Sequence, residues 1–162
     1  MGRPPRRTCL ERPHPRSQTV IAIGTARADE AGAIRHLLQQ VDLPLDELDR
    51  HLPRFLVARH REAVRGCVGL EIYGDWCIVR SLAVAPDHQG QGLGTQLLKA
   101  ALDQARQHGS RHAVTLTNTA ADLAARFGFA AVARDTINPA VQGSWSFAAD
   151  ACQQAACMHL RL

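Results

Sequence analysis

Between a strand-like run and an amphipathic helix, the chain sets glycine at three alternating positions. The stretch reads SLAVAPDHQGQGLGTQLLKAALDQARQHG, from Ser81 to Gly109, with Gly90, Gly92 and Gly94 in the turn. The apolar run stops at Pro86, and Leu93, Leu97, Leu98, Ala101, Leu102 and Ala105 recur at the spacing that lines one face of a helix. Gly109 suits the end of that helix. A strand that enters a helix through such a turn is part of a layered sheet-and-helix domain, so this junction constrains the fold more than any other stretch.

Three loop mechanisms place glycines at a strand–helix junction. A dinucleotide loop needs G-x-G-x-x-G, and Thr95 stands where its third glycine belongs. A P-loop needs a Lys after its last glycine, and Gly94 has none. The remaining pattern, Q-x-x-G-x-G, is met by Gln89, Gly92 and Gly94. In it, backbone N–H groups at a helix start face an anion such as a pyrophosphate. The unfilled donors and the helix dipole favour that charge, and the missing Cβ atoms let it come close.

The rest of the chain alternates strands and helices. TVIAIGTA (Thr19–Ala26) reads as a strand and ADEAGAIRHLLQQ as a helix, with Asp29 as its N-cap; LPLDELDRHL reads as a second short helix. RFLVARH, AVRGCVGLEIYG and DWCIVRSLAVAP read as strands, with breaks at Arg61–Glu62 and Gly74–Asp75 that suit antiparallel hairpins. After the long helix, HAVTLTN is a strand, TAADLAARF a short helix ending at Gly128, and AAVARDTI and ACMHLRL are closing strands. A meander of strands followed by mixed elements predicts one mixed α/β (α+β) domain over residues 19–162. A chain of 162 residues has room for one ordinary core.

Charge is unevenly placed. Residues 1–18 carry five arginines and one glutamate, a net +4 that equals the charge of the whole chain; the remaining 14 basic and 14 acidic residues cancel. This Arg- and Pro-rich segment, without periodicity, is expected to be flexible. Aromatic residues make up only 4% of the chain, too few to build stacking platforms, so no nucleic-acid partner is expected. No run is long enough to span a membrane, and the N-terminus has no apolar core of a secretory signal. Five cysteines in no pairing rhythm read as reduced thiols of a cytoplasmic protein. The histidines show no metal-ligand spacing, so no metal is expected.

The compound pattern LAVAP, then Q-x-x-G-x-G, a helix, and Asn118 ahead of Gly128-Phe129 resembles the acetyl-CoA loop of the GCN5-related N-acetyltransferase (GNAT) family. The resemblance covers about Val20 to Leu162 and is strongest from Arg65 to Phe129. It implies a mostly antiparallel sheet of six to seven strands, flanked by helices and splayed near the acetyl-CoA site. It implies acetyl-CoA as cosubstrate, a small-molecule amine as acceptor, and a homodimer as one permitted assembly. It assigns cofactor contacts to Leu82, Ala83 and Val84 on the strand, to Gln89, Gly90, Gln91, Gly92, Leu93, Gly94 and Thr95 in the cradle, and to Asn118. Asn118, Thr117 or Thr119 serves equally as a helix cap. A narrower likeness, carried by RSLAV, by Thr115, Thr117 and Thr119, and by the tail around Pro139–Val141, Ser144 and Phe147, is to N-acetylglutamate synthases and to short acetyltransferases of arsenic-resistance operons. It implies an amino-acid-like acceptor and a link to arsenic resistance. The synthases' amino-acid-kinase domain has no counterpart in these residues.

Amide formation needs a neutral amine, a donor for the developing oxyanion and a proton for the leaving thiolate. Glu71 is the expected base, its pKa raised by burial among apolar neighbours; a solvent-facing Glu71 is the competing reading. The family's tyrosine acid falls at Ala124, which leaves Tyr73, Thr117, solvent or direct thiolate departure. Arg80, placed by period-two counting on the face of Ile78, Leu82 and Val84, is the expected clamp for an acceptor carboxylate, with Thr117 beside it; a salt bridge to Asp75, Glu71 or Asp87 is the alternative. A loop after the second helix and the tail near Trp145 are expected to shape the acceptor pocket. Two other functional classes stay open: a CoA-binding module without catalysis, and a protein that binds arsenic through its thiols.

Overall fold

A computed structural model describes residues 20–162; the expected flexible segment 1–18 lies outside them. Seven strands form one sheet: β1 (Ile21–Thr25), β2 (Leu56–His60), β3 (Ala63–Tyr73), β4 (Trp76–Val84), β5 (His112–Thr117), β6 (Ala130–Ala131) and β7 (Ala156–Arg161), in the order β1-β2-β3-β4-β5-β7-β6. The helices are α1 (Ala31–Gln40), α2 (Leu48–His51), α3 (Leu93–Gln107), α4 (Ala121–Arg126), α5 (Pro139–Gln142) and α6 (Trp145–Ala148). Every strand pair is antiparallel except β4 with β5. The mixed, mostly antiparallel architecture is the one expected.

The apolar patterning explains the layers. All six α3 positions picked out by spacing are buried, and they pack with Val68, Leu70, Cys77 and Val79 on one sheet face. On the other face α1 buries Ile34, Leu37 and Leu38 against Phe55, Val57, Cys67 and Ala83. A third cluster joins Ile78, Val114 and Cys157 to Val141 and Phe147 of the C-terminal helices. Phe55, Leu70 and Leu97 are among the fully buried side chains, each worth about 1.5–3 kcal/mol of transfer free energy.

Several helix ends follow sequence logic. The α3 end closes at Gly109, where Ser110 N–H donates to Ala105 O and Gly109 N–H to Arg106 O. The same pair of bonds ends α4 at Gly128 (φ +94°), with Phe129 N–H returning to Ala124 O. The α1 start differs from expectation. Asp29 caps nothing; instead the Glu30 carboxylate accepts from Arg27 N–H at 2.7 Å and from Arg59 Nε at 2.5 Å. The expected strand AAVARDTI is also cut short: β6 holds two residues, and Arg134–Thr136 forms a 3₁₀ turn. The Arg134 guanidinium bonds the carbonyls of Cys152 and Ala155, tying that turn to the chain ahead of β7.

Candidate active site

The site begins where the two parallel strands part. β4 pairs with β5 only from Trp76–His112 to Ile78–Val114, yet β4 runs on to Val84 and β5 to Thr117. Beyond Ile78 the edge of β4 therefore faces no strand on that side. The gap opens a cavity of about 390 Å³. Its sheet walls are Val79–Leu82 and Thr115–Thr117; Leu98, Leu123, Ala124 and Phe129 make an apolar side, and Val41–Pro44, Trp145, Ser146 and Cys152 close the other end.

A bulge in β4 sets the side-chain directions. The β3–β4 register slips between Cys67–Ala83 and Gly69–Arg80, and Ser81 takes φ +55°, a conformation unusual for a non-glycine residue. The slip reverses the alternation. Leu82 and Val84 pack with Val79 on the α3 side, whereas Ala83 and Ala85 pack with α1. Arg80 therefore does not share a face with Leu82 and Val84, contrary to simple period-two counting. It shares the face of Ile78 and of Glu71 across the hairpin.

Glu71 is fully buried, which removes the reading of a solvent-facing carboxylate. Its oxygens accept from Tyr73 Oη at 2.7 Å, Arg80 Nη1 at 2.7 Å and Ser146 Oγ at 2.8 Å. Burial alone would raise its pKa, but the Tyr73 and Ser146 hydroxyls and the Arg80 charge outweigh it and hold the carboxyl below the usual range. The expected upward shift is thus corrected: Glu71 is a stabilised anion, a poor match for a base. Tyr73 is committed to Glu71, and burial, reinforced by that carboxylate, pushes its hydroxyl pKa up. Neither Glu71 nor Tyr73 lines the cavity.

Arg80 does line the cavity, and the salt bridge to Glu71 weighed as the alternative is present. Besides Glu71 it donates from Nη2 to Asp46 O at 2.9 Å and from Nε to Ser81 Oγ at 3.3 Å, and its guanidinium lies 5.2 Å from the Trp145 ring centroid. Three of its five N–H donors are used, which leaves two.

The glycine loop joins the unpaired end of β4 to α3, and none of Gln89–Thr95 is among the cavity walls. Gly90 and Gly92 have φ +73° and +82°, and a Cβ at either would meet no atom within 4 Å, so the loop surface is open for a close-approaching ligand. Gln96 N–H makes the first bond of the α3 ladder, to Gly92 O at 3.1 Å, and the amides of Leu93, Gly94 and Thr95 precede it. Donors aimed outward from the start of a 15-residue helix fit a pyrophosphate. Gln89 contributes differently, donating from Nε2 to Val84 O at 3.0 Å and so fastening the loop to the strand. Gln91 donates to Asp87 O at 3.4 Å, and the Leu93 side chain is buried in the core, which leaves only its backbone for a ligand.

At the end of β5, Thr117 Oγ1 accepts from Thr119 N–H and Ala120 N–H and caps the turn into α4. Asn118 is exposed and lines the cavity. Leu82 lines it as well, whereas Ala83 and Val84 lie outside its walls. The loop that lines the cavity, Val41–Pro44, precedes α2 rather than following it. Trp145 lines the cavity, as do Ser146 and Asp42, which pattern reading missed. A serine inside a short helix and an aspartate after one carry no periodic signal.

Among the described residues, no three cysteine, histidine or acidic side chains stand together to hold a metal ion. Cys77, Cys67 and Cys157 are buried in three different clusters, and burial pushes the Cys67 thiol up to about 12 and Cys77 to about 11. A soft metalloid would need thiolates together, which this arrangement does not offer. Among the described residues no helix is long and apolar enough to cross a membrane.

Residues 23–129 match the profile of the acetyltransferase (GNAT) family. The fold is similar to N-acetylglutamate synthase from Neisseria gonorrhoeae, crystallised with coenzyme A and L-arginine, at TM-score 0.75 and 22% identity over 88% of this chain and 33% of that one. It is also similar to Rv2747 from Mycobacterium tuberculosis, crystallised with CoA, at TM-score 0.74 and 22% identity over 87% of this chain and 99% of that one. The Escherichia coli protein YhbS in complex with CoA aligns at TM-score 0.65 and 26% identity, over 91% and 84% of the two chains. The chain spans about a third of the length of the synthase. No curated protein matches it in sequence.

Proposed function

The chain belongs to the acetyltransferase (GNAT) family, and on that footing we propose that it transfers the acetyl group of acetyl-CoA to the amine of a small, amino-acid-like molecule. The observation that carries this reading is the parting of β4 from β5 beyond Ile78–Val114, with a cavity between the strands and the glycine loop joining the unpaired end of β4 to α3. Acetyl-CoA supplies an activated thioester, and the residues supply its seat. The amides at the start of α3 hold the pyrophosphate, and the open edge of β4 offers backbone groups to the pantetheine arm as an added strand would. Leu82, Leu98 and Leu123 exclude water from the thioester end.

The acceptor enters from the side of Trp145 and the loop ahead of α2. Arg80 lines the cavity and keeps two N–H donors without a partner among the described residues, enough for the two oxygens of a carboxylate. Glu71, Ser146 and Trp145 hold its guanidinium in place, so Glu71 is a positioning residue and Arg80 the clamp. Backbone N–H groups near the Ser81 bulge are the donors for charge developing on the thioester oxygen. No histidine, tyrosine or lysine is among the cavity walls of the described residues, whereas Asp42 and Cys152 are; in this reading the amine arrives neutral and the thiolate leaves directly or to solvent. A thiol pKa near ~8.5 permits that departure.

The test is release of free thiol from acetyl-CoA in the presence of amino acids, polyamines, peptides and organoarsenical amino acids. Release with amino-acid-like acceptors supports the reading, and inclusion of an arsenical among the best acceptors supports the narrower link to arsenic resistance. Tight binding of acetyl-CoA without release in any case favours a CoA-binding module, the reading to which Ala124 in place of a tyrosine lends support.

A further inference from the structure

The cavity walls are poor in cations and rich in apolar surface. Among the described residues, Arg80 is the one cationic side chain that lines the cavity. That side chain is 8% exposed, and the buried Glu71 carboxylate lies 2.7 Å from it, so the pair as a whole brings no net charge. Asp42, the other charged wall residue, is an exposed anion whose charge water screens. Burial, against the opposing pull of Arg134 and Arg80, raises the Cys152 pKa and keeps that thiol neutral. Arg134 holds the carbonyls of the wall residues Cys152 and Ala155 and lies over the Phe147 ring, but it is not itself a wall.

One carboxylate on the acceptor uses the two remaining Arg80 donors. The site then already holds more negative than positive charge. A second carboxylate inside the cavity would give up its water and meet no cation in return, which is costly for an ionised group. An uncharged side chain carries no such cost.

The apolar walls favour that side chain. Leu43, Pro44, Trp145, Ala151 and Ala155 are all among them. Trp145 is the one placed against the clamp, its ring centroid 5.2 Å from the Arg80 guanidinium carbon. A carboxylate seated on that guanidinium brings its own side chain within reach of the indole, and a large aromatic surface gains by covering apolar groups. Resting on the acetyltransferase reading above, we propose that the acceptor is an amino acid with a single carboxylate and an uncharged, apolar side chain, and that Trp145 is the residue that selects it.

Two pairs of acceptors separate charge from apolar contact in a thiol-release assay. Glutamine and glutamate match in shape and differ in charge; norvaline and alanine differ by two methylenes. The expected kcat/KM for glutamine exceeds that for glutamate by at least about tenfold, the effect of one unpaired charge. Norvaline exceeds alanine by roughly tenfold, as burial of two methylenes gives. In Trp145→Ala that still binds acetyl-CoA by calorimetry, the norvaline preference falls to within about threefold while the preference for glutamine over glutamate remains. Equal rates with glutamine and glutamate, a glutamate preference, equal rates with norvaline and alanine, or a norvaline preference that survives Trp145→Ala overturns the inference while the transferase reading stands. Transfer to none of the four with acetyl-CoA bound overturns the amino-acid reading and this inference with it.

Discussion

The Arg80 guanidinium lies 2.7 Å from a Glu71 carboxylate that has no solvent exposure, and the pair joins β4 to β3 directly beneath the cavity. Glu71 also takes the Tyr73 and Ser146 hydroxyls, so a C-terminal helix is tied to the same anion. Removing one partner leaves an unpaired buried charge. Arg80→Ala is therefore expected to cost about 3–5 kcal/mol of stability. The double variant Arg80→Met/Glu71→Met regains most of that loss in thermal melts. It nonetheless keeps a strongly raised acceptor KM, because the clamp is gone. Recovery of both stability and KM would show that Arg80 serves packing alone.

Thr117 and Asn118 divide two roles between neighbours. Thr117 Oγ1 holds the turn ahead of α4 through the Thr119 and Ala120 amides, and Thr117→Val should cost about 1 kcal/mol in stability with little change in acetyl-CoA affinity. Asn118→Ala should do the reverse, weakening acetyl-CoA severalfold at unchanged melting temperature. Calorimetric titration and thermal melts of the two variants check the pair.

The pH dependence of kcat/KM should follow the acceptor rather than the enzyme. Glu71 is an anion throughout the working range because its pKa is lowered, and no histidine lines the cavity among the described residues. Two acceptors whose amines differ by about one pKa unit should give profiles displaced by about one pH unit. Coincident profiles would reveal an enzyme base.

Acid stability should depend on His159. Its Nε2 lies 3.0 Å from His112 Nδ1, and Trp76 stacks over both rings at centroid distances of 5.1 and 4.3 Å. Burial, with a smaller push from the His112 charge, lowers the His159 pKa. A lowered histidine pKa means the folded state resists protonation. Its contribution is present above the unfolded value of about 6.5 and is lost as pH falls through the lower folded value. His159→Gln should flatten the fall in melting temperature between about pH 7 and 5, and an unchanged slope would place the acid sensitivity elsewhere.

Much of the fold could be read from periodicity. The α3 face, both hairpin breaks and the glycine ends of α3 and α4 are local features with local signals. The β4 bulge was not legible, because Ser81 takes φ +55° without a glycine or proline to announce it, and that single residue put Leu82 and Val84 on the face opposite Arg80. The environment of Glu71 is not local either: Ser146 reaches it from 75 residues away, and this contact helps turn an expected base into a held anion.

The claim on which the rest depends is that the loop Gln89–Thr95 and the gap between β4 and β5 seat acetyl-CoA. Isothermal titration of acetyl-CoA into the wild-type chain and Gly92→Val tests it most directly. A Cβ and branch at Gly92 would fill the space above the loop and strain a residue held at φ +82°. The wild type should bind in the micromolar range and Gly92→Val at least about tenfold more weakly, with the melt still cooperative. Equal affinity for the two folded proteins would contradict the account and place acetyl-CoA elsewhere on the chain.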